Sequence, residues 1–166
     1  MKKFLLAITL LAIFGISYGQ SSLPKGQAQL NAGVGISGWG IPVYFGIDYG
    51  ISKNITIGGE LSYRTFHESW KDNTYNHNII GVSGNANYHF NTVLKIPSKF
   101  DLYAGLNVGY YAWTSTTGYD GTNSSGLGLG IQAGGRYFFT KGLGLNLEVG
   151  GGNAFSGGKI GITVKL

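Results

Sequence analysis

His67 and Ser69 flank Glu68, and of all the side chains in this 166-residue chain they come nearest to a nucleophilic pair. Two positions apart on a strand, they share one side, where an imidazole can take the hydroxyl proton. A carboxylate must then orient the imidazole, and no neighbouring strand supplies a clear one, so His67 reads more simply as a loop residue. His77 and His89 fall at opposite ends of one strand, too far apart to share a metal ion. Gly128-Leu129-Gly130 and Gly150-Gly151-Gly152 open no helix and are not nucleotide loops. No metal and no cofactor are expected. The chemistry that remains is electrostatic and rests on Asp48, Glu60, Arg64, Asp101, Arg136, Glu148, Lys159 and Lys165.

What places these charges is a period of two. From Arg136 to Val149 the chain reads as one hairpin. Tyr137, Phe139, Leu143, Leu145, Leu147 and Val149 fall on one face; Arg136, Phe138, Gly144, Asn146 and Glu148 fall on the other. Thr140-Lys141-Gly142 makes a three-residue turn, with Gly142 free to adopt positive φ. In that register Arg136 lies opposite Asn146, and Glu148 is its diagonal neighbour within reach of a long side chain. An Arg136–Glu148 pair is therefore expected, together with Arg64 and Glu60, at the centre of the charged face.

The same alternation runs through the rest of the chain. Strands are predicted at about 27–37, 41–51, 55–66, 78–90, 100–113 and 126–139, with a seventh as the second hairpin arm and an eighth at 159–166. Short turns alternate with polar loops at 67–77, 114–125 and 150–158, and the link 91–99, with Pro97, is long for a turn. Eight strands return the chain to the side where it began, as an up-and-down barrel requires. Trp70, Tyr75, Trp113 and Tyr119 in or near the polar loops are candidates either to contact a partner or to form an upper interfacial girdle.

Composition supports a membrane setting. Charged residues make up 11%, against roughly 25% in soluble domains, and Gly is the commonest residue at 30. Lys2-Lys3, the apolar run Phe4–Ile13 and the small residues Ser17 and Gly19 have the three parts of a secretory signal at 1–19, cleaved before Gln20. A periplasmic lead-in at 20–26 and a barrel at 27–166 would follow. Without Lys2 and Lys3, ten basic residues face seven acidic ones, which is too mild to argue for nucleic acid. The chain has no cysteine and hence no disulfide. Closing a sheet in a bilayer pairs every backbone amide instead.

The rival arrangement puts the apolar face inside, as in a soluble barrel. About five apolar residues per strand, many large, overfill an interior only just wide enough for side chains. The Gly, Asn, Ser and Thr face would also make a poor water-facing surface. Turned the other way, small polar residues let a narrow lumen close, and the eight charges pair inside it. Tyr49, Tyr88, Phe90, Phe100, Tyr137 and Phe139 then flank the short-turn side as an aromatic girdle.

The signal segment, the eight alternating strands and the lumenal charges resemble the small outer-membrane barrels of the OmpA-transmembrane-domain class, over residues 27–166. Leu166 stands where that class commonly has a terminal aromatic, and the cell-wall tethering of longer relatives is not carried over. The resemblance implies an all-β, eight-stranded antiparallel transmembrane barrel in the cell outer membrane. It implies contact with outer-membrane lipid and lipopolysaccharide, and handling by periplasmic chaperones and barrel-assembly machinery. The expected function is non-enzymatic: an occluded, charged lumen, with a structural or interaction role through the extracellular loops, alone or beside a larger outer-membrane complex. The alternatives are a narrow solute pore and a lipid A-modifying enzyme, the latter because some small barrels of this kind act on lipid A with a Ser or His near the membrane surface.

Overall fold

The computed structural model describes residues 23–70, 73–115, 125–153 and 156–166, with backbone alone at 68–70, 73–75 and 115. Eight antiparallel strands follow one another around a closed barrel: β1 (Ala28–Ser37), β2 (Val43–Gly50), β3 (Ile55–Trp70), β4 (Asn73–His89), β5 (Phe100–Ser115), β6 (Gly126–Phe138), β7 (Leu143–Gly152) and β8 (Gly157–Lys165). β8 pairs back onto β1 from Gln29↔Lys165 to Ser37↔Gly157, which closes the sheet. Among the described residues a single short helix, α1 (Asn91–Leu94), lies in the link between β4 and β5.

The hairpin of β6 and β7 has the expected register, with Arg136 opposite Asn146. Its turn differs. Gly142 is not among the residues with positive φ. The Thr140 hydroxyl instead accepts from the N–H of Gly142 at 3.3 Å and of Leu143 at 2.9 Å, so a side chain closes the turn and no left-handed residue is needed.

Two predicted loops are largely strand. The polar stretch 67–77 is a hairpin, paired step by step from Phe66↔His77 to Trp70↔Asn73. Of 150–158, residues 150–152 continue β7 and 157–158 open β8, paired to Gly150↔Gly157. β5 extends to Ser115, while residues 116–124, with Tyr119, lie outside the described residues, as do the proposed signal segment and Phe155.

The reason for the first error is an inversion of polarity along the barrel. Over most of its height the outer wall is apolar and exposed: Phe45, Ile47, Leu61, Tyr63, Ile80, Val82, Leu106, Tyr110, Ile131 and Leu147 all face outward. One step further up, the outward residues become Thr65, His67, Asn76, Asn78 and Thr114, all exposed. There the inward residues turn apolar: Ile79 is buried, and Phe66 packs on His77 with ring centroids 6.0 Å apart. A wall facing lipid is apolar outside, whereas a wall facing water is polar outside. The boundary runs at Tyr63, whose hydroxyl donates to Asn78 Oδ1 at 3.1 Å. Polar residues above it are strand residues in water.

Candidate functional site

All eight charges named from the sequence point into the barrel, four acidic and four basic. Asp48, Arg64, Asp101 and Arg136 are buried; Glu60, Glu148, Lys159 and Lys165 are partly so. Neighbouring glycines make room for them. A side chain at Gly58 would collide with the Asp48 carboxylate, and one at Gly134 with the Tyr103 ring.

The structure divides seven of these charges into three groups. Toward the short-turn end, Arg136 donates from Nη1 to Asp101 Oδ2 and from Nη2 to Asp48 Oδ2, both at 2.9 Å. Asp48 Oδ2 also accepts from Gln29 at 3.0 Å and Asn31 at 2.9 Å, and Thr163 donates to Asn31 at 2.7 Å. On the other side, Asp101 Oδ1 lies 2.8 Å from His89 Nδ1, and His89 Nε2 lies 3.0 Å from Thr56 Oγ1. One continuous hydrogen-bonded path thus crosses the lumen from β3 through β4, β5, β6, β2 and β1 to β8. At mid-height Lys159 Nζ contacts both Glu60 oxygens, at 2.6 and 2.9 Å, and Glu148 Oε1 at 3.4 Å. Near the long-hairpin end Arg64 faces the rings of Trp39 and Tyr111, at 5.4 and 5.7 Å.

The expected Arg136–Glu148 pair therefore does not form. Tyr103 stands between them: its ring lies 4.2 Å from the Arg136 guanidinium carbon, and its hydroxyl donates to Glu148 Oε2 at 2.9 Å. Diagonal reach on one hairpin loses to Asp101, directly opposite Arg136 on β5, and to Asp48, which the narrow barrel brings from β2 across the lumen. Nor does Arg64 join Glu60 at the centre. Lys165 lies over Phe138, with Nζ 4.1 Å from the ring centroid.

Thr56, His89 and Asp101 have the order and spacing of an activated nucleophile. Thr56, however, is fully buried, and none of the three lines the lumenal cavity, so here they tie β3, β4 and β5 together. His67 lies on the exposed outer face of β3, above the apolar band.

The space left among the lumenal side chains, bordered by Asp48, Glu60, Asn85, Arg136, Glu148 and Lys159, measures about 40 Å³. An amide chain runs along one side: Asn107 donates to Gln132 at 2.9 Å, Gln132 to Asn87 at 2.7 Å, and Asn87 to Asn85 at 3.1 Å. Above it, Trp39 from the β1–β2 connection meets Trp113 edge to face at 5.3 Å, and Trp113 meets His77 at 5.9 Å. Trp113 thus belongs to an inward aromatic cluster. Trp70 and Tyr75 lie near the tip of the β3–β4 hairpin, where only the backbone is described.

Sequence reasoning missed Trp39, Phe66, His77 and Ile79 in this cluster, and the roles of Thr56, His89 and Tyr103. Parity was the available signal for all but Trp39, which lies in the β1–β2 connection, since each of the others occupies an inward position of its ladder. On the outer wall, Tyr88 meets Phe90 at 5.2 Å and Phe100 meets Tyr137 at 5.1 Å. Tyr137 meets Phe139 at 6.3 Å, and Tyr49 is exposed at the same end.

The architecture is similar to solved outer-membrane barrels. Pseudomonas aeruginosa OprG is 11% identical, with a TM-score of 0.70 and 88% of this chain and 98% of that one covered. The N-terminal β-barrel domain of Pseudomonas aeruginosa OprF is 15% identical, with a TM-score of 0.63 and coverage of 87% and 100%. Yersinia pestis Ail in phospholipid bilayer nanodiscs is 12% identical, with a TM-score of 0.53 and coverage of 86% and 100%. At such identities the likeness is one of fold. No curated protein matches the chain. The sequence itself matches the outer membrane protein β-barrel domain over residues 7–164, and the chain belongs to that family.

Proposed function

We propose that this barrel is non-enzymatic, that its lumen is occluded by its own side chains, and that it acts by structural support or interaction through the hairpins at its long end. The observation that carries the reading is the charge pairing in the lumen. Arg136 is shared by Asp48 and Asp101, Lys159 by Glu60 and Glu148, and about 40 Å³ remains between the side chains. That volume suits a few water molecules. Passage of a hydrated solute would require these buried pairs to separate.

The interaction half of the reading rests on the β3–β4 hairpin. It stands clear of the apolar band. Beyond Tyr63↔Val43 the described residues provide β3 with no ladder partner on its β2 side. A strand edge of this kind offers backbone groups to an extended segment of another protein.

The first test is a tagged pull-down from native outer membranes in mild detergent, with mass spectrometry of what co-purifies. A stoichiometric partner makes the barrel an accessory subunit; a barrel recovered alone acts autonomously. Planar bilayers should show no stable conductance. Steps that change when Arg136 is neutralised would establish a pore instead. Lipid A should be unchanged by overexpression and by deletion; a modification lost in Ser69→Ala or His67→Ala would establish an enzyme.

A further inference from the structure

The short-turn end of the barrel carries charge of one sign. Lys25, Lys53, Lys95, Lys99 and Lys141 lie in the lead-in and the three turns, and the first four are exposed. The acidic side chains nearest in sequence, Asp48 and Asp101, are buried in the lumen and bonded to Arg136. Among the described residues no acidic side chain is exposed at this end. The sequence of the opposite end mixes signs, with Glu68, Lys71, Asp72 and Asp120.

These lysines stand on a braced support. The His89 N–H donates to Asn54 O at 2.8 Å and the Thr92 hydroxyl to Asn54 Oδ1 at 2.7 Å, which ties the Lys53 turn to α1. Asn91 donates to Phe100 O at 2.6 Å and accepts from the Leu102 N–H at 3.2 Å, which ties α1 to β5. The chain leaves α1 at Lys95 with φ +51°, a left-handed turn that sends it back toward β5. So held, α1 leaves Val93 63% and Leu94 60% exposed, beside the girdle formed by Tyr88, Phe90, Phe100 and Tyr137.

An adjacent aliphatic pair, an aromatic girdle and the exposed Lys53, Lys95 and Lys99 together suit a lipid interface. The apolar groups enter the acyl boundary, and lysine stems carry their ammonium groups to phosphate. Short turns mark the periplasmic end of such barrels. We infer that the face formed by Lys53, α1, Lys95 and Lys99 binds the headgroups of anionic phospholipid in the periplasmic leaflet. Charge complementarity selects the anionic lipid, and the exposed Val93 and Leu94 distinguish a membrane from a soluble acidic partner. The inference goes beyond the proposed function, which concerns the lumen and the opposite end.

The test uses the full chain, folded into nanodiscs of equal parts phosphatidylcholine and phosphatidylglycerol, with retained lipids counted by native mass spectrometry. Phosphatidylglycerol should be retained about threefold or more over phosphatidylcholine, and added salt should weaken the preference. The variant K53Q/K95Q/K99Q alters only exposed side chains and should bring the ratio to parity. Heat-modifiable migration on a gel verifies its fold; should it fail to fold, Lys95→Gln alone should lower the ratio. Equal retention by the unaltered chain, or an undiminished preference in the variants, overturns the inference. So does binding of soluble polyglutamate to the barrel in pure phosphatidylcholine without any lipid preference, which would identify an acidic polymer as the partner.

Discussion

Arg136 lies over the ring of Tyr103, its guanidinium carbon 4.2 Å from the ring centroid, while its two η nitrogens reach Asp48 and Asp101. The two η nitrogens are thus held by two carboxylates and the guanidinium carbon lies over an aromatic ring, while the buried Nε has no hydrogen-bond partner. Two carboxylates and a ring suit a buried arginine, whose planar head presents several donors at once and lies well on aromatic faces.

Arg136→Leu should leave Asp48 and Asp101 buried without their cation and cost about 3–5 kcal/mol. Glu148→Gln keeps an acceptor for the Tyr103 hydroxyl and leaves Lys159 on Glu60, so its cost should stay below about 1.5 kcal/mol. Urea titration of the barrel in lipid vesicles compares the two. Equal losses would mean that Glu148, after all, neutralises Arg136.

Tyr103→Phe keeps the ring on Arg136 and removes only the hydroxyl that bonds Glu148. A hydrogen bond to a charged group contributes about 1.5–3 kcal/mol, and that is the expected loss. Tyr103→Leu should lose up to about 2 kcal/mol more, because the cation–π contact goes too. If both variants unfold at the same urea concentration, the stacking contributes nothing.

Gly161 and Gly59 separate the two faces of the wall. A side chain at Gly161 would run into Ala32 O, the Tyr44 hydroxyl and Asn146, whereas one at Gly59 would find its nearest atom, Ser83 O, at 3.7 Å. Gly161→Ala should therefore cost about 1–3 kcal/mol through overpacking. Gly59→Ala should stay within about 0.5 kcal/mol. The reverse ranking in the same vesicle assay would exchange lumen and lipid faces.

The boundary at Tyr63 makes its own prediction. Leu147, exposed on the apolar band, should cost about 2–4 kcal/mol to replace with Arg if it lies near mid-bilayer. Thr65→Arg, one step above the boundary, should be neutral within about 0.5 kcal/mol. A comparable insertion defect at Thr65 would move the membrane edge upward.

The alternation of Leu143, Leu145, Leu147 and Val149 with Gly144, Asn146 and Glu148 was enough to assign faces, because successive strand residues point to opposite sides of a sheet. The pairing of Arg136 with Asn146 was also legible, since the three-residue turn sets the register of its hairpin. Where alternation coincided with polarity on both sides of the chain, as at 67–77, the reading failed: strands in water carry the residues that mark loops elsewhere.

What only the tertiary structure decided was which charge meets which. Asp48 lies 88 positions from Arg136, and Lys159 lies 99 from Glu60. Parity sends all of these residues into the lumen without ranking their partners. Direct neighbours along the wall do meet, Arg136 with Asp101 and Lys159 with Glu148. Closure adds Asp48 and Glu60 from the far wall, because side chains at one height of a narrow barrel meet across its axis, and Tyr103 keeps Arg136 from its diagonal neighbour Glu148.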